Sequence, residues 1–570
     1  MDKKQIIKQL DMIAVYLEIK GENTFKVAAY HRAGRALEND PRSMKEIDDL
    51  SKLKGIGKST AQVIEELLVH GQSSVLDALE KEIPRGLIDL LRLPGLGGKK
   101  IGRLYRELDV IDRDSLRKVC EQGKVRLLSG FGEKTEKHIL QALSEQQRPA
   151  ELAVPYMLEL AEKIMCILRQ IKSIKRFSYA GSLRRTKEKM KDLDFVIETE
   201  QSEQTSEDLL TSLPVNEVVG RGEAKMTVLL DDPAHVSVDF RFAEKKTYAS
   251  MLLHFTGSQA HNVLLRRLAK TRHEKISEYG IERSDGSVLT FDSETAIYNY
   301  FGLTYIPPQV REGKQEIEWA QEGALPFIKC SDIKGDLHMH STWSDGSHTI
   351  MEMASAMRAK GYAYACLTDH SRSLRVANGL SFERLDEQIS EVARINKQFD
   401  DFTLFSGTEM DILPDGALDY PDEMLKKLDF VIASVHSSFS QDRRHIMKRL
   451  ENACRNPHVR LIAHPTGRLL GKRRGYDVDV EQLIELAKET GTVLELNASR
   501  SRLDLSAKWL DKVQKAGVKI AINTDSHSLQ MIEDMHLGVE TAIRAGIRPE
   551  NVINTWPINR IRDFLLQKKR

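Results

Sequence analysis

Hydrophobic and polar positions follow three different rhythms along the 570 residues. Up to about residue 150, apolar residues recur at helical spacing in short runs broken by glycine pairs. From about 150 to 310 the texture mixes. LELAEKIMCILRQI (158–171) carries a helix period, whereas DLDFVIET, AKMTVLL and HVSVDFRF alternate with period two, as half-buried strands do. The stretch 302–330, GLTYIPPQVREG and then EGALPFIKC, is punctuated by proline and glycine and predicts the main connection. Beyond it come seven apolar runs: IKGDLHMH, YACLTDH, TLFSGTE, FVIASVH, VRLIAHP, TVLELNAS and VKIAINTDSH. Helix-like segments separate most of them. Such a succession predicts parallel βα units, most simply a closed or distorted barrel. The expected class is multidomain α/β.

Within the first 150 residues one unit repeats. LSKLKGIGKSTAQVIEEL (50–67), LLRLPGLGGKKIGRLYREL (90–108) and VRLLSGFGEKTEKHILQAL (125–143) share a helix end, a Gly-apolar-Gly core and a new helix start. The pairs begin at Gly55, Gly95 and Gly130. Glycines at such a hairpin let the backbone approach a phosphate, and the helix start behind them offers free N–H donors. That is the helix-hairpin-helix pattern, a clamp on a DNA backbone that ignores base sequence. One copy would be an ordinary tight turn; three copies are a design. Gly55, Gly57, Lys58, Gly95, Gly97 and Lys99 are the expected backbone contacts, with Lys54 beside them.

Composition narrows the class by exclusion. Hydrophobic residues make up 41% and charged residues 30%, which excludes wholesale disorder. No window approaches the roughly 18–20 uncharged apolar residues of a membrane helix, and MDKKQIIKQLDM lacks the apolar core of a secretory signal. Five scattered cysteines (120, 166, 330, 366, 454) form no CxxC pair, which suits a reducing cytoplasm. A cytoplasmic protein, on the nucleoid when bound to DNA, is expected. Charge adds nothing to the case for DNA. Lys plus Arg is 85 against 84 Asp plus Glu, and residues 1–150 hold 27 basic and 23 acidic side chains.

Six of the seven late runs end in His, Asp or Glu, and strand ends of a βα barrel face one rim. His338, His340, Asp345, His370, Glu409, His436, His464, Asp525 and His527 therefore collect in one place. Imidazole and carboxylate ligands suit Zn, Mn or Fe, and nine exceed what one ion can use. Two or three close metals that bridge a hydroxide and clamp a phosphoryl oxygen are the economical reading. A lone histidine after a strand is usually just packed; six of the chain's 17 histidines at one set of strand ends are not. Asp369 and His458 are expected outside the set, the first orienting a neighbour and the second on a loop surface.

The central YAGSLRRTKEKMKDLDFVIE holds a second site. Gly181 and Ser182 turn a loop into a helix start, where N–H groups meet a triphosphate, and Arg185 adds a fixed positive fork. Strand alternation puts Asp192 and Asp194 on one face, and Asp239 on a neighbouring strand would complete a two-ion site for nucleotidyl transfer. D-x-D alone is weak, since surface strands often carry it. With the Gly-Ser turn upstream and the aspartate strand downstream it points strongly to nucleotidyl transfer, a class that still covers RNA-tailing and small-molecule-modifying enzymes.

Two resemblances then become visible. HMHSTWSDG, LTDHS, GTEMDI, ASVHSS, IAHPT and NTDSH are similar to motifs of the PHP (polymerase and histidinol phosphatase) family and fill all nine of its ligand positions. This implies a (βα)7 barrel with up to three Mn²⁺ or Zn²⁺ ions and phosphoesterase activity. GSLRR, DLD, VDFRF and LLHFTGSQAHNVLLRRLA (252–269) resemble family X DNA polymerases such as DNA polymerase beta over roughly residues 1–310. That resemblance implies triphosphate contacts from Ser182 and Arg185, and two Mg²⁺ or Mn²⁺ ions on Asp192, Asp194 and Asp239. It further implies Phe255 and Gly257 against the incoming nucleotide, Asn262 at its minor-groove edge and Arg266 on the template. Two departures stand out. His254 occupies the position where the family commonly has Tyr. Val63 occupies that of the lyase lysine, so an imine cannot form there.

Together these resemble the bacterial family X polymerases with a C-terminal PHP domain. The implied organisation is a helical DNA-binding domain over 1–85, two further hairpin repeats (fingers-like) over 86–150, a nucleotidyltransferase palm over 151–240 and a thumb-like nucleotide-selection subdomain over 241–315. A linker over 316–332 and the PHP domain over 333–570 complete it. The implied role is short-gap filling in DNA repair by a monomer acting on gapped or nicked DNA and dNTPs, with no membrane. The barrel would add a metal-dependent 3′–5′ exonuclease and abasic-site (AP endonuclease) incision, with GKRRG (471–475) steering a DNA end or merely forming a solvated loop. The alternatives are a barrel that is a small-molecule or pyrophosphate phosphatase, and a non-catalytic DNA-end-binding scaffold.

Overall fold

The computed structural model describes residues 3–566 apart from 41, 43, 45, 46, 48, 94, 146–150 and 324. The expected boundary at 150 and the tail 567–570 lie outside the described residues. The chain divides into two compact units, Met1–Ala150 and Glu151–Arg570.

The first unit is helical. Lys3–Lys20 and Thr24–Asn39 are its two longest helices, and Asn23 caps the second by accepting the Phe25 N–H at 2.9 Å. The three glycine hairpins then adopt one geometry three times. A short 3₁₀ turn leads to a glycine in the left-handed region: Gly55 (φ 112°), Gly95 (φ 80°) and Gly130 (φ 82°). The apolar residue that follows, Ile56, Leu96 or Phe131, is buried and returns its N–H to the carbonyl three residues back at 3.0, 3.2 and 3.0 Å. A helix begins directly afterwards: Lys58–His70, Gly98–Leu108 and Glu133–Glu145. The apolar middle residue anchors the turn in the core while the glycines stay outside. That division of labour is why the pattern reads Gly-apolar-Gly.

The second unit opens with the helix Val154–Leu168, started by a proline in its first turn. A five-stranded mixed sheet follows: β1 (Arg176–Tyr179), β2 (Asp192–Glu198), β3 (Val215–Arg221), β4 (Lys225–Leu230) and β5 (Ser237–Ala243), in the order β1-β2-β5-β4-β3. The pairing β2–β5 is parallel and the others antiparallel. Period-two alternation sends Leu193, Phe195 and Ile197 into the core and leaves Asp192 and Asp194 on the other face. Beyond the sheet, the helices Tyr248–Thr256, Gln259–Thr271 and Glu294–Tyr300 and a small three-stranded sheet surround their own core.

The seven late runs all form strands: β6 (Gly335–Met339), β7 (Tyr364–Leu367), β8 (Thr403–Asp411), β9 (Phe430–Ser434), β10 (Val459–Ile462), β11 (Val493–Asn497) and β12 (Ile520–Asn523). They lie parallel and side by side in sequence order. A bridge from Met339 to Ser526, with the His340 N–H on the Ser526 carbonyl at 2.9 Å, ties the first strand to the end of the last. The sheet is a nearly closed barrel.

The described residues of the expected linker 316–332 form a packed connection. Glu316–Gln321 is helical, and the Glu316 carboxylate accepts the Gly313 N–H at 2.7 Å and lies 3.0 Å from the His261 ring. Ala320 and Phe327 enter the core around Tyr298, while Ile328 enters that of the barrel. Apolar residues facing two cores outweigh the proline and glycine punctuation that suggests a linker.

Candidate active sites

The barrel rim gathers the predicted imidazoles and carboxylates. Among the described residues, three sets of potential ligand atoms lie within 4.8 Å of one another: His340, Asp345, His370 and His527; His338, His340, Glu409 and Asp525; and His370, Glu409 and His436. The sets share His340, His370 and Glu409, so they form one contiguous cluster. The ninth predicted ligand, His464, adjoins it with Nε2 2.8 Å from Glu409 Oε1. All nine residues therefore meet.

Hydrogen bonds decide which ring nitrogens face the centre. His338 Nδ1 lies 2.8 Å from Glu495 Oε1, His436 Nδ1 2.8 Å from Asp411 Oδ1 and His527 Nδ1 2.9 Å from the Asp525 carbonyl. Acceptors in those places put the proton on Nδ1 and leave Nε2 as the free lone pair, the arrangement a metal ligand requires. Among the described residues the inward nitrogens His338 Nε2 and His340 Nε2 have no hydrogen-bond partner, although both residues are fully buried. They stand 3.2–3.6 Å from Asp525 Oδ1 and Glu409 Oε2. Atoms that share one ion at about 2.1 Å stand roughly 3.0–3.4 Å apart at tetrahedral or octahedral angles. The donor set fits divalent cations.

Burial opposes the charge of His338, His436 and His527, yet the carboxylates around them push His338 well up, His436 to about 10 and His527 to about 9. Without an ion these rings hold a second proton, whose place an ion would take. Burial opposes the charged forms of Glu409 and Asp525, yet the surrounding histidines hold both carboxyls well below the usual range. His340, with burial and then His527 and His370 against its charge, falls to about 3 and stays a neutral ligand.

Three residues of this site are absent from the sequence-based set. Glu495, on the one strand with no terminal His, Asp or Glu, is fully buried, and its two oxygens accept from His338 Nδ1, Asn523 Nδ2, the His464 N–H and Asn497 Nδ2. Asp411 orients His436, and Arg502 lies 3.4 Å from Asp525. An acid inside the apolar run TVLELN was the available signal for Glu495, since a buried carboxylate needs partners. Asp369 does orient a neighbour: it accepts from the Ser341 N–H and hydroxyl and from Gln388. His458 is in none of the sets. In the 471–475 segment Arg473 stacks on Phe439 at 4.0 Å, and Lys472 and Arg474 are exposed.

On the five-stranded sheet, Asp194 pairs in register with Asp239 across β2 and β5, and Asp192 lies two residues away on the same face. Burial first, then Asp192 and Asp239, push the Asp194 carboxyl up to about 7, and burial raises Asp192 too. Asp239 is held by the Thr227 hydroxyl at 2.7 Å, Lys225 at 2.8 Å and Arg241 at 3.2 Å. These aspartates form no tight ligand set among the described residues; two cations already neutralise Asp239. Gly181 (φ 55°) lies so close to the Asp194 carboxylate that any Cβ would overlap it. Arg185 reaches the Thr256 carbonyl and lies 3.4 Å from the Ser182 hydroxyl, so the triphosphate candidates adjoin Gly257. Arg241 stacks on Phe255 at 4.2 Å. Asn262 donates to the His254 carbonyl at 2.8 Å, and the two residues line a narrow cleft with Leu253, Leu265, Arg266 and Ile276.

In the helical unit Gly55, Gly57, Gly95, Gly97, Lys54, Lys58 and Lys99 are exposed, whereas Val63 is buried in the core.

Comparison with known proteins follows the same division. A helix-hairpin-helix domain model matches residues 1–73, a DNA polymerase beta thumb model 251–312 and a PHP domain model 336–499. The chain is 50% identical over 567 residues, 99% of each sequence, to the DNA polymerase/3′-5′ exonuclease PolX of Bacillus subtilis (strain 168). The chain belongs to the PolX family. PolX-type architecture also explains the partial matches. A "Probable phosphatase" of Thermoanaerobacter sp. (strain X514) is 30% identical over 249 residues, 41% of this chain and 95% of that protein. Another, from Caldanaerobacter subterraneus, is 26% identical over 256 residues. No helix of the described residues is long and apolar enough to cross a membrane.

Proposed function

We propose that this PolX-family protein is a DNA polymerase that fills short gaps and a 3′–5′ exonuclease, with one metal-dependent site for each reaction. The observation that carries it is the coexistence of the in-register Asp194–Asp239 pair and the nine-residue rim cluster in a chain that matches PolX end to end.

In the polymerase reaction Asp192, Asp194 and Asp239 would hold two Mg²⁺ or Mn²⁺ ions, with Lys225 released from Asp239 as they enter. Ser182 and Arg185 bind the triphosphate, Phe255 and Gly257 lie along the incoming nucleotide, Asn262 meets its minor-groove edge and Arg266 the template. The hairpin glycines with Lys58 and Lys99 grip the DNA backbone. Val63 offers no amine for a lyase step. On the rim His338, His340, Asp345, His370, Glu409, His436, His464, Asp525 and His527 would hold up to three Mn²⁺ or Zn²⁺ ions, with Glu495 and Asp411 fixing His338 and His436. Bound ions supply Lewis acidity and an acidified hydroxyl at each site: the primer 3′-hydroxyl in one, water in the other. Abasic-site incision would use the same rim. Gapped or nicked DNA and dNTPs are the substrates, the protein acts as a monomer, and the setting is the cytoplasm and its nucleoid.

The test is a gapped duplex with a labelled primer. Asp192→Ala is expected to abolish extension and keep shortening in Mn²⁺ without dNTPs; His338→Ala is expected to do the reverse. Loss of both activities in each variant would overturn the assignment of one site to each reaction. The similarity of the barrel to proteins named as phosphatases favours one second reading, in which the rim hydrolyses small phosphoesters. Rapid release of phosphate from such esters with no primer shortening would establish it.

A further inference from the structure

The helix Met535–Arg544 follows the rim residues Asp525 and His527 in the barrel half of the chain, yet it stands where three cores meet. Met535, Val539 and Ala542 pack into the barrel core, Leu537 into that of the five-stranded sheet, and Ile543 against the core around Tyr298. Gly538 lies against Ala498 and Ile522, and a methyl there would crowd both. The helix is therefore fixed along its length.

Its last two turns reach the segment predicted to bind the triphosphate. Arg544 donates to the Arg185 carbonyl at 2.9 Å, and Glu540 accepts from the Thr186 hydroxyl at 2.9 Å. Arg544 also stands 3.6 Å from Glu312, whose other oxygen takes Lys187 at 2.8 Å. The supported segment is short and gains from outside support. Gly181–Arg184 is a single helical turn, and isolated turns are unstable. Thr186 sits at φ 53°, a region that a β-branched residue disfavours. Leu183 in the sheet core, Arg184 on Thr256 and Glu294, and Arg185 on the Thr256 carbonyl hold one side of this turn; Arg544 and Glu540 hold the Arg185 carbonyl and the Thr186 hydroxyl on the other.

We propose that Arg544 and Glu540 are positioning residues for the polymerase reaction: the barrel helix braces the turn that carries Ser182 and Arg185, so nucleotide affinity depends on the nuclease domain. The inference rests on the polymerase reading above. The barrel is then a structural part of the nucleotide site as well as the seat of its own chemistry.

The test uses the full chain in single-nucleotide gap filling, with KM for dNTP and kcat measured separately, beside primer shortening and Tm. Arg544→Ala is expected to raise KM for dNTP about tenfold, the loss of one charge-assisted hydrogen bond, with kcat altered less. Arg544→Lys, which keeps a donor, is expected to recover part of the affinity, and primer shortening is expected to stay at the wild-type rate. Should Arg544→Ala not fold, Thr186→Val, which removes only the hydroxyl contact to Glu540, carries the same expectation for KM. An unchanged KM in a folded variant would overturn the brace, as would a joint fall of both activities and Tm, the mark of a merely structural role. Wild-type protein that extends no primer would overturn the polymerase reading and the brace with it; wild type that extends with a KM indifferent to Arg544 and Thr186 overturns the brace alone.

Discussion

Asp194 and Asp239 stand in register on adjacent parallel strands. Burial makes the Asp194 charge costly, and Asp192 and Asp239 add repulsion. Burial and two acidic neighbours hold Asp194 at about 7 against an ordinary 3.8. A raised folded-state pKa gives stability that is complete below the ordinary value and erodes as pH rises through 7. Asp194→Asn is therefore expected to raise the Tm of metal-free protein at pH 8 by about 2–4 °C, the effect of about 1 kcal/mol in a domain of this size. In the wild type the Tm gain from added Mg²⁺ is expected to grow between pH 6 and 8, as the proton stops competing with the ion. Thermal denaturation with and without chelator checks both; a variant that is no more stable at pH 8 would rule the repulsion out.

Gly181 is fixed by two independent demands, a left-handed φ and contact with the Asp194 carboxylate. Gly181→Ala is expected to cut gap filling at least about 100-fold by displacing a metal-binding carboxylate, since small misplacements at a reacting centre cost that much. Primer shortening at the rim is expected to remain. Paired assays on one preparation measure both.

Glu495 accepts four hydrogen bonds and donates none. Glu495→Gln sets an N–H₂ group against at least one donor and loosens His338. A fall of about 10- to 100-fold in primer shortening is expected, the usual result of losing a partner behind a metal-bound histidine. Metal titration should show weaker binding at the rim, and gap filling should persist.

Glu294 joins Arg184 (3.0 and 2.6 Å) to the fully buried Arg311 (2.6 Å). Burial opposes its charge, but Arg311 and Arg184 prevail and hold it at about 2 against an ordinary 4.5. Its depressed pKa contributes stability above pH 4.5 that is lost as pH falls toward 2. Glu294→Ala is expected to destabilise the protein by about 3–5 kcal/mol, because it strands the buried Arg311 guanidinium and takes the carboxylate from the partly buried Arg184. Denaturant titration at pH 7 measures the loss, and the same titration at pH 3 should show a smaller one.

The seven barrel strands, the three hairpins and the histidines and carboxylates gathered at the rim were legible in the sequence because each depends on local periodicity. A strand's terminal residue faces the rim whatever else the fold does, and Gly-apolar-Gly describes its own turn. Glu495 was hidden because its partners lie on β6, β10 and β12, brought next to it only when the barrel closes. The packing of 316–332 was hidden for a like reason, since proline and glycine mark a bend without saying whether both sides of it are buried.

By itself the sequence determined the elements, the two sets of candidate ligand residues and their division between two parts of one chain, since those follow from residue type and period. Tertiary structure alone decided which nitrogen of each histidine faces inward, which cations stand in at Asp239, and that the barrel helix Met535–Arg544 touches the triphosphate turn. The last depends on atoms hundreds of residues apart coming within hydrogen-bond distance, the others on side-chain orientation, and no period of hydrophobic and polar positions encodes either.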